Sequence, residues 1–162
     1  MKEDKVAIKL KRIKRNLFNN EWNTGVEHNF DYFRPKNGMI NNQNCPLIFF
    51  DIISLFARDC DYKLKECYVD AKRLFIIGIH KEGKCELMLR FAGSKNKLVV
   101  AKVCFVHQRC GNMTELYKIL ENIKRRYKTG KIVIESVMTE GMKQWCKKNG
   151  FEKKEESMNY EE

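Results

Sequence analysis

The spacing of apolar residues changes abruptly near residue 106, and this change constrains the fold more than any other feature. Three short apolar runs precede it, at 73–80, 85–91 and 97–106. Glu82-Gly83 and Gly93-Ser94-Lys95-Asn96 separate the runs and are typical of hairpin connections. We therefore predict three consecutive antiparallel strands. The last one should be buried on both faces, because its apolar residues are nearly continuous.

After this point the apolar residues follow the period of a helix. The members of one helical face are Leu116, Ile119, Leu120, Ile123 and Tyr127. A short strand at 132–137 and a second amphipathic helix at 139–149 follow, and the charged segment 151–160 is typical of an edge strand. Upstream, Asn44-Cys45-Pro46 favours the start of a buried helix over 47–63. This order predicts an α/β fold with a mixed, mostly antiparallel twisted sheet flanked by helices.

The length of the chain sets its domain organisation. Its 162 residues suit one domain, and no linker-like stretch divides them. We expect a single domain over 1–162, with a basic, loop-rich N-terminal segment at 1–44 and a core at 45–162. No apolar run approaches the ~20 residues of a membrane span, and no apolar segment follows the basic N-terminus as in a signal peptide. We therefore expect a cytoplasmic protein with no membrane partner, of open oligomeric state.

The cysteine pattern bears on redox state and metal binding. The seven cysteines are Cys45, Cys60, Cys67, Cys85, Cys104, Cys110 and Cys146. Their number is odd, and no pair has the two-residue gap of a zinc or redox motif. We expect reduced thiols that pack as small apolar residues, and no metal site.

The net charge narrows the choice of partners without fixing it. The chain has 32 basic and 21 acidic residues, a formal charge of +11. Such a balance attracts polyanions, and nucleic acid, an anionic cofactor or an acidic partner would each satisfy it. A lysine-rich background without a specific partner is an equal alternative. A basic arm at 2–15 slightly favours an anionic partner.

The stretch 106–116 joins the last of the three predicted strands to the following helix. Asn112 is placed as N-cap, and Glu115 completes the pattern of a capping box. First-turn amides of a helix have no intrahelical acceptor, and together with the helix dipole they favour anion binding. Gly111 lets the backbone approach a ligand closely, and Arg109 adds a charged donor. The loop therefore favours a phosphate site, although strand-to-helix turns often contain glycine and a cap for structural reasons alone.

From Lys97 to Phe151 the chain resembles the GNAT acetyltransferases. That family places in series a strand, a loop of the type Q/R-x-x-G-x-G/A, a helix, a further strand, and a helix that ends in Gly-Phe. The corresponding segments here are 98–106, Gln108-Arg109-Cys110-Gly111-Asn112-Met113, 114–127, 131–137 and 139–151. The resemblance implies the GNAT-like acyl-CoA N-acyltransferase fold, with acetyl-CoA as the acyl donor.

The resemblance also implies which residues hold coenzyme A. Backbone amides of the loop and of the first helical turn would bind the pyrophosphate; they belong to Arg109, Cys110, Gly111, Asn112, Met113 and Thr114. The backbone of Cys104, Phe105 and Val106 would pair with the pantetheine arm, in the gap between 98–106 and 132–137. An amide at Phe105 or Val106 would stabilise the developing oxyanion.

The candidate catalytic residues follow partly from departures from the family pattern. Met113 stands where the last Gly or Ala of the loop is usual, and Thr139 where an asparagine begins the helix. Cys146 stands where a tyrosine often protonates the thiolate, which makes it the candidate acid, with apolar packing as the alternative. Glu135 beside the gap is the candidate base, with an ion pair to a lysine as the alternative. His107 at the mouth of the loop is a second titratable candidate.

Three functions are compatible with these features. The first is transfer of an acetyl group from acetyl-CoA to a primary amine of a small molecule, a protein or an aminoacyl-tRNA. The second is a non-enzymatic nucleic-acid-binding module, although its aromatic residues are not interleaved with the basic arm as a stacking platform requires. The third is a degenerate protein that binds coenzyme A without turnover.

Overall fold

The structure is a computed structural model, and it describes residues 47–70, 73–93, 95–154 and 157–162. The predicted basic segment 1–44 and the predicted helix start at Asn44-Cys45-Pro46 lie outside these residues.

Within them the chain forms helices and strands that alternate much as the apolar spacing predicts. The helices are α1 (Leu47–Asp59), α2 (Asn112–Tyr127) and α3 (Glu140–Lys148). The strands are β1 (Leu64–Asp70), β2 (Arg73–His80), β3 (Gly83–Ala92), β4 (Lys97–Cys104), β5 (Ile132–Ile134), β6 (Glu152–Lys153) and β7 (Tyr160–Glu161). In chain order α1 precedes β1 to β4, α2 lies between β4 and β5, and α3 lies between β5 and β6.

The seven described strands join one sheet in the order β1-β2-β3-β4-β5-β7-β6. Neighbouring strands are antiparallel except β4 and β5, which are parallel and are connected through α2. This arrangement confirms the predicted mixed, mostly antiparallel sheet flanked by helices.

Two parts of the sheet differ from the sequence prediction. No strand is predicted over 64–70, because Lys65, Glu66 and Asp70 interrupt any apolar alternation. In the structure, however, β1 pairs with β2 along most of its length. The single tail strand expected over 151–160 is instead two short strands, β6 and β7, which pair with each other. Pairing with a neighbouring strand therefore stabilises segments whose own sequence gives little strand signal.

The core lies between the sheet and the two longer helices. α1 packs on β1, β2 and β3 and against α2. Four residues of α1 are wholly buried: Phe49, Ile52, Ile53 and Phe56. The inward residues of α2 are also buried, with only a few per cent of their surface exposed: Leu116, Leu120, Ile123 and Tyr127. The spacing of apolar residues along α2 correctly predicts this buried face, with Ile119 only partly buried at its edge.

The cysteines that the structure describes are free, and four of them, Cys60, Cys67, Cys85 and Cys146, are buried. Two of these thiols meet at Gly78 of β2. A Cβ at this glycine would lie 2.6 Å from the Cys85 sulfur and 2.7 Å from the Cys60 sulfur. Only glycine therefore fits where α1 and β3 meet the strand. None of the helices in the described ranges is long and apolar enough to cross a membrane.

Candidate functional site

The parallel strands β4 and β5 pair over three residues each and then separate. Leu98, Val99 and Val100 of β4 lie opposite Ile132, Val133 and Ile134 of β5. The last hydrogen bond between them runs from the Glu135 amide to the Val100 carbonyl, at 2.9 Å. Beyond it, the chain after β5 turns away, and the Val137 amide donates to the Met158 carbonyl instead, at 2.8 Å.

Among the residues that the structure describes, the remainder of β4, from residue 101 to 104, pairs only with β3. A bulge begins this part of the strand, because Ala101 is an extra residue between the pairs Met88–Lys102 and Leu89–Val100. Bulges bend a strand and increase its twist. In a strand, every second residue presents its N–H and C=O to one neighbour and the others to the opposite neighbour. The end of β4 therefore has backbone groups that face the gap left by β5.

The loop between β4 and α2 turns into the helix through left-handed residues. Arg109 has a φ of 61° and Gly111 a φ of 81°, and Gly111 is the residue immediately before the first helical residue. A Cβ on Gly111 would meet nothing within 4 Å. The glycine is therefore required by its backbone conformation rather than by crowding within the protein.

The predicted capping box does not form. Asn112 is the first helical residue rather than the cap, and within the described part of the chain no side chain caps the N-terminus of α2. The Asn112 side-chain amide instead donates to Asp59 at 2.9 Å and to the His107 carbonyl at 3.2 Å. Glu115 forms an ion pair with Arg58 at 2.7 Å. Asn112 lies one position inside the helix, and its side-chain NH2 group is bound by the buried Asp59 carboxylate.

The first turn of α2 has amides at Asn112, Met113 and Thr114 that no described side chain caps. The first helical hydrogen bond runs from the Glu115 amide to the Gly111 carbonyl, at 3.0 Å. The side chain of Met113 is partly buried and packs against the core. The N-terminus of a 16-residue helix therefore presents its positive dipole end with its backbone donors available.

Asp59, at the end of α1, organises the loop and was not among the residues predicted from the sequence. Its side chain is wholly buried. It accepts hydrogen bonds from the amide of Val106 at 2.6 Å, from the amide of His107 at 3.1 Å and from the Asn112 side chain. A signal was present, because Ile52, Phe56 and Asp59 share the buried face of α1, where a carboxylate needs partners.

The Asp59 carboxylate also distinguishes the amides of Phe105 and Val106, the two candidates for binding the oxyanion. The Val106 amide is hydrogen-bonded to it, and Val106 is therefore an anchored residue of the loop. Phe105 is anchored through its ring, which stacks on Phe56 with centroids 4.8 Å apart. Of the two named amides, only that of Phe105 is not bound by Asp59.

Glu135 lies at the point where the strands part, as its amide makes the last hydrogen bond to β4. Its half-buried carboxylate forms an ion pair with Arg90 of β3. The sequence offered a lysine as the ion-pair partner of a solvent-facing Glu135, and the structure shows an arginine in that place.

Cys146 faces the core from α3 and is wholly buried. Burial raises the pKa of its thiol to about 11. Its neighbour Trp145 donates from its indole nitrogen to the Thr114 hydroxyl at 3.1 Å, and so holds α3 beside the first turn of α2. Trp145 also contacts the rings of Tyr117 and Phe151.

The remaining candidate residues of the loop are more exposed. Cys104 is half-buried, and its thiol donates to the Lys84 carbonyl at 3.6 Å. Arg109 and Cys110 are exposed, and the Cys110 thiol donates to the Gln108 carbonyl at 3.4 Å. His107 lies between Asp59 and Glu82, and its hydrogen bond to Asp59 raises its pKa.

Together the fold and the loop define a mixed α/β protein with an uncapped helix N-terminus beside two parting parallel strands. No protein-family model matches the chain, and no curated protein matches it. Among solved structures, the crystal structure of Tetrahymena GCN5 is similar, with 13% identity over 75% of this chain and 88% of that chain and a TM-score of 0.39. A TM-score this low leaves function to be argued from the residues of the site.

Proposed function

We propose that this chain is an acetyl-CoA-dependent N-acetyltransferase that acts on a primary amine. The observation that carries the proposal is the coincidence of two features. β4 and β5 part after Val100, and the uncapped N-terminus of α2 follows at the end of the same strand. An extended arm and a diphosphate are the two parts of coenzyme A that such a gap and such a helix end would accept.

The pyrophosphate is assigned to the amides of residues 109–114. Support comes from the left-handed φ at Arg109 and Gly111, because left-handed residues in a loop occur in the backbone N–H concavities that bind anions. Arg109 is exposed and adds a charged donor. Asp59 fixes the residues just before this segment without accepting from the backbone amides of the first turn.

The pantetheine arm is assigned to the backbone of Cys104, Phe105 and Val106, beside the part of β4 that β5 does not cover. The Phe105 amide is the proposed donor to the thioester oxygen, because Asp59 occupies the Val106 amide. In the reaction, a C–N bond forms between the amine and the acetyl carbon and the C–S bond breaks. The amine loses a proton, and the departing thiolate gains one.

Glu135 is the proposed base for the amine proton. It lies where the strands part, and its carboxylate is half-buried. Arg90 holds that carboxylate in place, so the proton must pass to the oxygen not engaged by the guanidinium or through a water. Cys146 is the weaker candidate for the acid, since its thiol faces the core and its raised pKa of about 11 makes it a poor proton donor.

Ligand-dependent stability tests the cofactor site. Acetyl-CoA at about 100 times its dissociation constant should stabilise the fold by ~2.7 kcal/mol, which thermal melting detects. The variant Gly111→Val should lose this shift because a β-branched residue disfavours the left-handed φ of 81° that turns the loop into α2. Gly150→Val is the matched control, since Gly150 has the same φ of 81° and the same empty surroundings for a Cβ, at the end of α3.

Each outcome has a defined meaning. Retention of the shift in Gly111→Val, or its loss in Gly150→Val, would show that the pyrophosphate lies elsewhere. If acetyl-CoA does not raise the melting temperature of the unaltered chain, both the proposal and the degenerate alternative are wrong. A shift without thiol release against a peptide N-terminus, a lysine peptide and a polyamine would favour the degenerate protein. With a suitable amine, Glu135→Gln should lower the rate while leaving the acetyl-CoA shift intact.

A further inference from the structure

Two histidines and a glutamate meet at the mouth of the loop, on segments far apart in sequence. His80 ends β2, Glu82 lies in the turn to β3, and His107 lies in the loop after β4. One ligand atom from each lies within 4.8 Å of the other two. We propose that His80, Glu82 and His107 bind a late first-row divalent transition metal ion, with zinc as the natural probe.

The hydrogen bonds of the two imidazoles point to the same conclusion. The His80 Nε2 lies 2.8 Å from an Asp61 carboxylate oxygen, and the His107 Nδ1 lies 3.2 Å from Asp59. A carboxylate on one ring nitrogen is the usual support of a metal-binding histidine, because it fixes the tautomer and the ring orientation. The other nitrogens, His80 Nδ1 and His107 Nε2, both face Glu82.

The contact between His107 and Glu82 is the contact of this cluster that a cation would stabilise. When the His107 Nδ1 donates to Asp59, its Nε2 carries a lone pair, and this lone pair faces a Glu82 oxygen at 3.4 Å. Two acceptors at this distance repel each other unless a proton or a metal ion lies between them. A bound metal ion removes the repulsion by taking both as ligands.

His80 supplies the third ligand at the loss of one hydrogen bond. Its Nδ1 accepts the Glu82 amide at 3.1 Å. An amide can only donate, so this bond places the ring proton on Nε2 and leaves a lone pair on Nδ1. The amide lies in an exposed turn, where water can replace the imidazole as its acceptor.

The ligand distances require a modest contraction. Tetrahedral zinc with bonds of ~2.0–2.1 Å places its ligand atoms about 3.3 Å apart. The side chain of Glu82 is 59% exposed and that of His107 is 39% exposed, so both can move toward the nearly buried His80. Imidazole ligands favour zinc and its neighbours over magnesium and calcium, which bind oxygen, and three protein ligands leave one position open.

A metal ion here would fasten the β2–β3 turn to the loop that precedes α2. The same loop is held from the other side by Asp59 through the amides of Val106 and His107. The predicted absence of a metal site followed from cysteine spacing alone, and this cluster uses no cysteine. Its histidines are 27 residues apart, a separation that matches no short metal motif.

Zinc titration of the chelator-treated protein tests the site without reference to acetyl-CoA or activity. We expect one zinc ion per chain by calorimetry and a rise in melting temperature, because the ion binds the folded state. Bound cobalt should give the intense visible absorption of a low-coordinate site without thiolate-to-metal charge-transfer bands. Glu82→Gln and His107→Ala should each weaken zinc binding by more than about a hundredfold, and Asp61→Asn by about tenfold.

Two control variants address the other candidate ligands. His28→Ala alters the one histidine outside the cluster, and Cys110→Ser removes the exposed thiol of the loop. Both should bind zinc as the unaltered chain does. Absence of binding by a folded chain would overturn the proposal, and the His107–Glu82 contact would then need only a proton. Binding that survives Glu82→Gln, or that disappears with Cys110→Ser, would overturn it as well.

Discussion

The two helices that follow the parallel strands begin in opposite ways. At the start of α3, the Thr139 side chain caps the helix by accepting from the Met142 amide, at 3.3 Å. At the start of α2, Gly111 has a left-handed conformation and no side chain among the described residues caps the helix. Under the proposed function, the uncapped amides of α2 are the ones that would bind the pyrophosphate, whereas the capped start of α3 would not.

The largest effect is expected where the loop before α2 is anchored. Asp59→Ala should lower the free energy of unfolding by about 3 kcal/mol, because it leaves two backbone amides and the Asn112 side chain without their buried acceptor. Denaturant unfolding measures this loss. Asp51→Ala changes an exposed aspartate of the same helix and should stay within about 0.5 kcal/mol. Equal effects of the two substitutions would mean that Asp59 does not hold the loop.

Cys146 tests whether α3 contributes chemistry or packing. Cys146→Ala removes a buried sulfur and should cost about 1–2 kcal/mol in unfolding free energy. The rate of acetyl transfer below the melting transition should stay unchanged, because the thiol faces the core. A fall in rate of more than about tenfold with acetyl-CoA binding retained, which corresponds to ~1.4 kcal/mol of barrier, would instead make Cys146 the proton donor.

The capped helix end should respond to loss of its cap. Thr139→Ala should reduce stability by about 1 kcal/mol, since the Met142 amide loses its side-chain acceptor. Thermal unfolding measures the change, with acetyl-CoA binding as the second readout. Binding should persist, because the first turn of α2 is untouched. Loss of binding would remove the contrast between the two helix ends.

The smallest effect distinguishes a capping box from a surface ion pair at α2. Glu115→Ala should cost only a few tenths of a kcal/mol, because its carboxylate pairs with Arg58 and both side chains are about half exposed. A capping residue would cost about 1 kcal/mol. If chemical denaturation shows that Glu115→Ala lowers the free energy of unfolding by about 1 kcal/mol, the capping box that the sequence predicts would be supported instead.

The parts of the fold that the sequence predicts are those with a strong local pattern. The buried face of α2 and the strands β2 to β4 follow from apolar spacing and from the turn residues between them. β1 does not, because its charged residues interrupt the alternation and its pairing with β2 defines it. Asparagine is a common capping residue, but the side chain of Asn112 binds the carboxylate of Asp59, 53 residues away in sequence. No local pattern reveals this contact.

The candidate site divides in the same manner. The loop proposed to bind phosphate and the strands on either side of the gap can be located from the order of elements. The partners of its charged groups cannot, because Arg90 lies 45 residues from Glu135 and Asp59 lies 48 residues from His107. The two histidines that face Glu82 are likewise brought together by the sheet, which joins the end of β2 to the end of β4 through β3.

The link between Asp59 and the loop has a consequence for how the chain acquires its native form. The hydrogen bond that the Val106 amide donates to Asp59 joins residues 47 positions apart, with β1 to β4 between them. Contacts between residues so distant in sequence lose much chain entropy before they contribute, and they tend to form late in folding. Coenzyme A binding should therefore appear only after the hairpins have assembled and α1 has docked, which would make ligand binding a stringent reporter of complete refolding.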